Sequence, residues 1–191
     1  MDPGGTGLID AALRLLDGRS LAALAVGFVL SLAVGIVVVR RTGASPVLAS
    51  LTVFSAVFVA VAMLQMGRAG GGALDRDPLA HFSIGALGRC FPIADGAESL
   101  SSNETRLNLL LYVPFGVFAT LTFGRPWRAL AVSVALILAM EALQAVLDVG
   151  VCSALDVVTN LIGVAIAIAV TAVIQWSMRH RRDRTTPGGR R

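Results

Sequence analysis

Four side chains able to do chemistry stand at helical spacing within runs of apolar residues. Glu141 has Gln144 three positions on, and Asp156 has Asn160 four positions on. Residues three or four apart share one face of a helix, so each pair presents two polar groups on one side. Glu141 interrupts the apolar run from Ala129 to Leu147, while Asp156 and Asn160 open the run that ends near Trp176. An ionisable group at membrane depth is costly and tends to mark a function. Two carboxylates and two amides can hold a polar headgroup by hydrogen bonds. Two carboxylates in unlike surroundings can also divide the roles of general acid and general base. Asn108, which opens a third apolar run, and Arg106 just before it complete the set of candidates.

The elements that must position these residues follow from composition. The chain of 191 residues is 55% hydrophobic and only 15% charged, against roughly 25% charged in a soluble domain. Five runs, approximately 21–39, 47–66, 107–123, 129–147 and 157–177, each approach the ~20 residues needed to cross the hydrocarbon. They predict an all-α fold, a polytopic membrane helical bundle of about five transmembrane helices. The organisation expected is an N-terminal segment with two spans (1–66), an extracytoplasmic cap loop (67–106), a three-helix region (107–177) and a basic tail (178–191). Residues 1–20 are too polar to cross, although Leu8, Leu13, Leu15 and Leu16 suit a short helix lying on the surface. The first run ends at Arg40 and Arg41 and shows no small-residue cleavage site, which favours a retained span over a signal peptide. Lys is absent and every long basic side chain is Arg, the mark of a GC-rich bacterial genome. No zinc-type Cys/His spacing and no Gly-rich phosphate loop is present, so no metal and no cofactor is expected. The net charge of +4 comes mostly from the last dozen residues and does not describe a nucleic-acid surface.

Arginine placement sets an orientation. The tail holds Arg179, Arg181, Arg182, Arg184, Arg190 and Arg191, which favours a cytoplasmic C-terminus. With five spans the connections carrying Arg40, Arg41, Arg125 and Arg128 then also face the cytoplasm, leaving the N-terminus and the 67–106 segment outside. On that topology Glu141 lies roughly 9 Å below the outer end of its span. Gln144 and Asp148 continue its face, and Asp156, Asn160 and Gly163 form a second face. Asn108 lies one turn above Tyr112. All fall in the outer half of the membrane, on three different spans. A short link makes the last two spans antiparallel neighbours, and Gly163 would let their backbones approach. Asp156 suits a helix N-cap. Arg106, or Arg89 in the cap, could pair with Glu141 or Asp156. Cys90 and Cys152 both fall outside, where a disulfide between them would tie the cap to the last helical pair. His81 has no clustered partner to support a metal or base role, and Ser99, Ser101 and Ser102 read as a polar loop without a nucleophile elbow. Gly27 and Gly35 are too far apart for a tight small-xxx-small pair and ease packing of the first span.

Three stretches in order, "NLLLYVPFG" at 108–116, "EALQ" at 141–144 and "DVVTNLIG" at 156–163, resemble the VanZ-like family of bacterial membrane proteins. The resemblance covers residues 105–175. It places the family's polar pattern on Asn108, Pro114, Gly116, Glu141, Gln144, Asp156, Asn160 and Gly163. Many members carry an Arg and further acids just before the Asp-led motif, where this chain reads "DVGVCSAL" at 148–155 without that Arg. The family takes its name from a protein giving low-level resistance to the glycopeptide teicoplanin, so the resemblance implies a multi-pass protein of the bacterial inner membrane and a link to the envelope or to antibiotic resistance.

Two functions are compatible with these residues. The first is binding, or altering, an envelope lipid, a lipid-linked wall precursor or a glycopeptide-type antibiotic through Arg106, Asn108, Glu141, Gln144, Asp156 and Asn160. The second is an intramembrane enzyme in which Glu141 and Asp156 act as acid and base on a lipid-linked phosphate or ester. Membrane lipids are the expected partners in either case. A small transporter would carry more spans and an inverted repeat. The orientation is directly testable. A cysteine at the tail (Gly188→Cys, with Cys90→Ser and Cys152→Ser) is expected to escape an impermeant maleimide in intact cells and to react once they are permeabilised. Labelling of intact cells would reverse the topology.

Overall fold

The computed structural model describes residues 18–69, 103–147 and 154–185, and among these every regular element is a helix. They are α1 (Gly18–Thr42), α2 (Pro46–Ala69), α3 (Asn103–Leu111), α4 (Val113–Phe123), α5 (Pro126–Leu147) and α6 (Ala154–Thr185). Five segments are long and apolar enough to cross a membrane, α3 and α4 together making one of them, Arg106–Phe123. The chain is therefore an all-α, multi-pass membrane protein. The expected cap, Arg89, Cys90 with Cys152, His81, the serines at 99–102, Asp148 and the N-terminal leucines lie outside the described residues.

Local chemistry explains the boundaries. Two tight connections end a helix on a glycine and restart on a proline. Gly43 (φ +68°) donates its N–H to Val39 O at 2.8 Å, and Gly124 (φ +62°) donates to Thr120 O at 3.0 Å. That left-handed backbone favours glycine. Pro46 and Pro126, each lacking an N–H, then open α2 and α5, where none is needed. Pro114 acts differently, because it lies within a span. It removes the N–H that Leu110 O would accept, and the helix breaks at Tyr112 (φ −89°, ψ −5°) before resuming through Gly116 N–H to Tyr112 O at 3.0 Å. α6 differs from the expected span by continuing to Thr185. Its 32 residues make a rod about 48 Å long, so the helix carries arginines that were expected in a tail beyond it.

The bundle core is built by α2, α4, α5 and α6, with Val59 and Met63, Phe115 and Ala119, Ile137 and Met140, and Val164 and Ile168 buried together. A hydrogen bond between the Thr52 and Thr122 hydroxyls, 2.8 Å, ties α2 to α4. α1 stands beside α2. Gly27, Ser31 and Gly35 are all buried on one side of it, and a Cβ at either glycine would strike Val57 or Ser50. The two glycines ease packing of the first span as expected, and Ser31 fills the gap between them, so the three small residues make a continuous seam at four-residue spacing. Phe28 and Phe54 lock it edge to face, centroids 5.6 Å apart.

Gly163 is likewise reassigned. A Cβ there would run into the Leu109 carbonyl, so it brings α6 against α3 rather than against α5. Gly116 repeats the device further along, under Val164 and Ala167. Gly163→Ala is expected to destabilise the bundle by about 1–3 kcal/mol through overpacking. Ala165→Val, on an exposed face of the same helix, should stay within about 0.5 kcal/mol. Thermal unfolding in detergent separates the two.

Candidate functional site

Asn108 and Asp156 meet directly. Asn108 Nδ2 donates to Asp156 Oδ1 at 2.6 Å, joining α3 to α6. Asp156 sits in the first turn of α6, which begins at Ala154, so it is within the helix rather than its N-cap. A carboxylate there is still favoured by the unpaired N–H groups of the helix start. Further along, Gly116 lies against Val164. Both contacts pair residues 48 positions apart. The two helices therefore run parallel, with Tyr112 between Asn108 and Gly116 on one facing side and Asn160 between Asp156 and Val164 on the other, each one turn or about 6 Å below the Asn108–Asp156 pair.

At this level the burial is complete. Tyr112 and Asn160 are both 0% exposed, and Glu141 of α5 is 4% exposed. Among the described residues the Tyr112 hydroxyl and both polar atoms of the Asn160 amide have no hydrogen-bond partner. Glu141 lies close enough for its charge to act on the Tyr112 phenol. The lower polar level thus draws Tyr112 from the α3–α4 break, Glu141 from α5 and Asn160 from α6. Leaving such atoms unanswered in hydrocarbon costs several kcal/mol each, so their retention needs a reason.

Gln144 belongs to a neighbouring contact. Its Nε2 donates to Met63 O of α2 at 3.2 Å, so the Glu141–Gln144 face also reaches the second span and does not meet α6 alone. Arg106 is exposed, and no ion pair joins it to Glu141 or Asp156 among the described residues. It precedes Asn108 by two positions, and such residues face opposite sides of a helix. Sequence reasoning placed Tyr112 one turn from Asn108 without giving it a role, and it passed over the Met63 carbonyl. Tyr112 is the only tyrosine of the chain and stands four residues after Asn108 and two before Pro114, which is the signal that could have found it. The Met63 carbonyl had no signal, because a main-chain acceptor leaves none in side-chain identity.

The VanZ/LLP1 family model matches residues 47–175, from the start of α2 to the last turns of the final span. The chain belongs to the VanZ/LLP1 family. The match is wider than the three spans in which the resemblance was read, and it takes in the helix that receives Gln144. It leaves out α1. No curated protein and no solved structure matches the chain.

The Asn108–Asp156 bond gives a test of this VanZ/LLP1 arrangement. Asn108→Ala should cost about 1–3 kcal/mol, the range for orphaning a partly buried charged group. Asn108→Asp should cost more, since two carboxylates would then meet, and adding Asp156→Asn should recover most of the loss. Denaturation in mixed detergent, measured as a double-mutant cycle, reads the coupling.

Proposed function

We propose that this VanZ/LLP1 membrane protein binds the polar head of an envelope amphiphile at the end of the bundle where α3 and α6 begin. The candidate ligands are a membrane lipid, a lipid-linked wall precursor or a glycopeptide-type antibiotic. On the arginine count this end faces out from a bacterial inner membrane, with the C-terminus in the cytoplasm. The single observation that carries the reading is the buried polar level. Asn160 and Tyr112 hold three polar atoms that no described protein group answers, at a depth where water is scarce. A bound headgroup supplies what the protein withholds.

Glu141 and Asn160 contact the head, Asn108 and Asp156 close the level above, and Gln144 fixes the α5 face by its bond to α2. Arg106, exposed at the same end, is placed to meet an anionic part of the ligand from the bilayer side. Binding is favoured over acid–base turnover because Asp156 is already engaged by a hydrogen bond from Asn108.

Protein extracted gently from its own membrane should retain an envelope amphiphile in native mass spectrometry. Glu141→Ala and Asn160→Ala are expected to release it, and Arg128→Gln, at the opposite end, to keep it. Equal retention by all four proteins, or none by the wild type, would refute a ligand at this level.

A further inference from the structure

The chemistry of the buried level restricts what it can hold. Among the described residues no basic side chain is buried anywhere in the bundle. The groups at the level are a phenol, a primary amide and a carboxylate, with a second carboxylate one turn above. When ionised, Glu141 and Asp156 offer only acceptor oxygens, and Tyr112 and Asn160 each add an acceptor oxygen of their own. A phosphate brought here would meet two acids at short range in a medium of low dielectric, where like charges repel strongly. A group rich in N–H donors meets the opposite situation. Its hydrogens can reach the Asn160 Oδ1 and Tyr112 oxygens while its charge complements the carboxylates, and the Asn160 Nδ2 hydrogens, which an ammonium cannot accept, are left to an acceptor oxygen elsewhere on the same ligand.

We infer that the Tyr112–Asn160–Glu141 level receives the N–H donors of a primary ammonium group. This deepens the proposed binding function and rests on it. The ammonium can arrive on a lipid of the ethanolamine type or as a free amine. A quaternary ammonium of the choline type carries the same charge and phosphate but no N–H, so it is excluded by hydrogen bonding and not by charge. Arg106, outside the buried level, leaves any attached phosphate in the better-solvated rim.

Because Tyr112 is the only tyrosine, full-length protein labelled with ¹³Cζ-tyrosine gives a single resonance at the proposed site. In nanodiscs of phosphatidylcholine this signal sets the reference. Adding phosphatidylethanolamine is expected to displace it in a saturable way, and phosphatidylglycerol or inorganic phosphate to leave it in place. Half-saturation should weaken about tenfold in Asn160→Ala, the loss of one buried hydrogen bond, and similarly in Glu141→Gln. Arg128→Gln should match the wild type. A response to free ethanolamine as well as to the lipid assigns a soluble amine, and a response to the lipid alone assigns the headgroup; either supports the inference. Displacement by phosphatidylglycerol or phosphate in place of the amine would overturn the ammonium assignment while leaving a ligand site. An unmoved signal in every lipid and with free ethanolamine overturns the ammonium assignment, and the retained ligand in native mass spectrometry then decides the binding reading by itself. The comparison of two lipids on the wild type decides even where a variant fails to fold.

Discussion

A polar atom inside a bilayer has no water to fall back on, and this one constraint orders the whole molecule. Helices satisfy their own backbones, so the chain crosses as rods. The hydroxyls of Ser31, Ser55, Thr120, Ser133 and Thr171 fold back onto carbonyls three or four residues earlier, at 2.7–2.9 Å. Thr52 does the same and still reaches Thr122 on the next helix. The Gln144 amide finds Met63 O, and the Asn108 amide finds Asp156. Against this background of answered groups, Tyr112 and Asn160 stand out. Their orphaned atoms are not a general looseness of the bundle, since the buried serine and threonine hydroxyls among the described residues are all hydrogen-bonded.

The same level is where backbone regularity gives way. Pro114 breaks the third span at Tyr112, and two glycines flank the break on the facing surfaces, Gly163 against Leu109 and Gly116 against Val164. Close approach of α6 to α3 and α4 leaves little freedom of height, and it keeps Asn160, between Asp156 and Val164, on the side of α6 that meets those two helices. The glycines, the proline and the polar residues are therefore parts of one device. Packing fixes the heights, and the heights gather side chains from three helices. A bulkier residue at position 163 would act on the site without being near any ligand.

The fold was legible because its signal is redundant. Each span repeats apolar character over about 20 residues, so an error of two or three residues at an end leaves the span intact. α6 outran its expected end because arginine is a good helix former and its charge forbids only burial, not helicity. The polar site was legible residue by residue but not contact by contact. Spacing showed that Glu141 and Gln144 share a face, yet nothing in it said whether that face meets α6 or α2. Gly163 was visible as a close-packing residue, but its partner was not. Parallel α3 and antiparallel α5 both flank α6, and composition does not choose between them. Ser31 was missed for a related reason. A seam of small residues was sought among glycines, whereas a serine bonded to its own helix at Phe28 O is just as flat.

Charge is segregated along the bundle, and this ties the site to topology. Among residues whose side chains are described, the acids Glu141 and Asp156 lie toward the end where α3 and α6 begin. Arg106 is exposed at that same end, whereas Arg40, Arg41, Arg125, Arg128, Arg179 and Arg181 lie at the other, all exposed. Arg128 rests over the Trp127 ring at 5.3 Å, and Trp176 stacks on His180 at 5.4 Å, the kind of aromatic and basic edge that sits at a membrane surface. The arginine end holds the helices at a fixed height without burying any charge. The acidic end is free to place its carboxylates inside. The family match begins at residue 47 and so excludes α1, which touches the rest mainly through its seam with α2. The four spans within the match contain the Asn108–Asp156 and Gln144–Met63 contacts of the candidate site. α1 then acts as a lateral support for α2, and α2 in turn presents the carbonyl that orients Gln144. Support and site are linked through a main-chain atom of one helix, which is why a span outside the match can still matter to chemistry inside it.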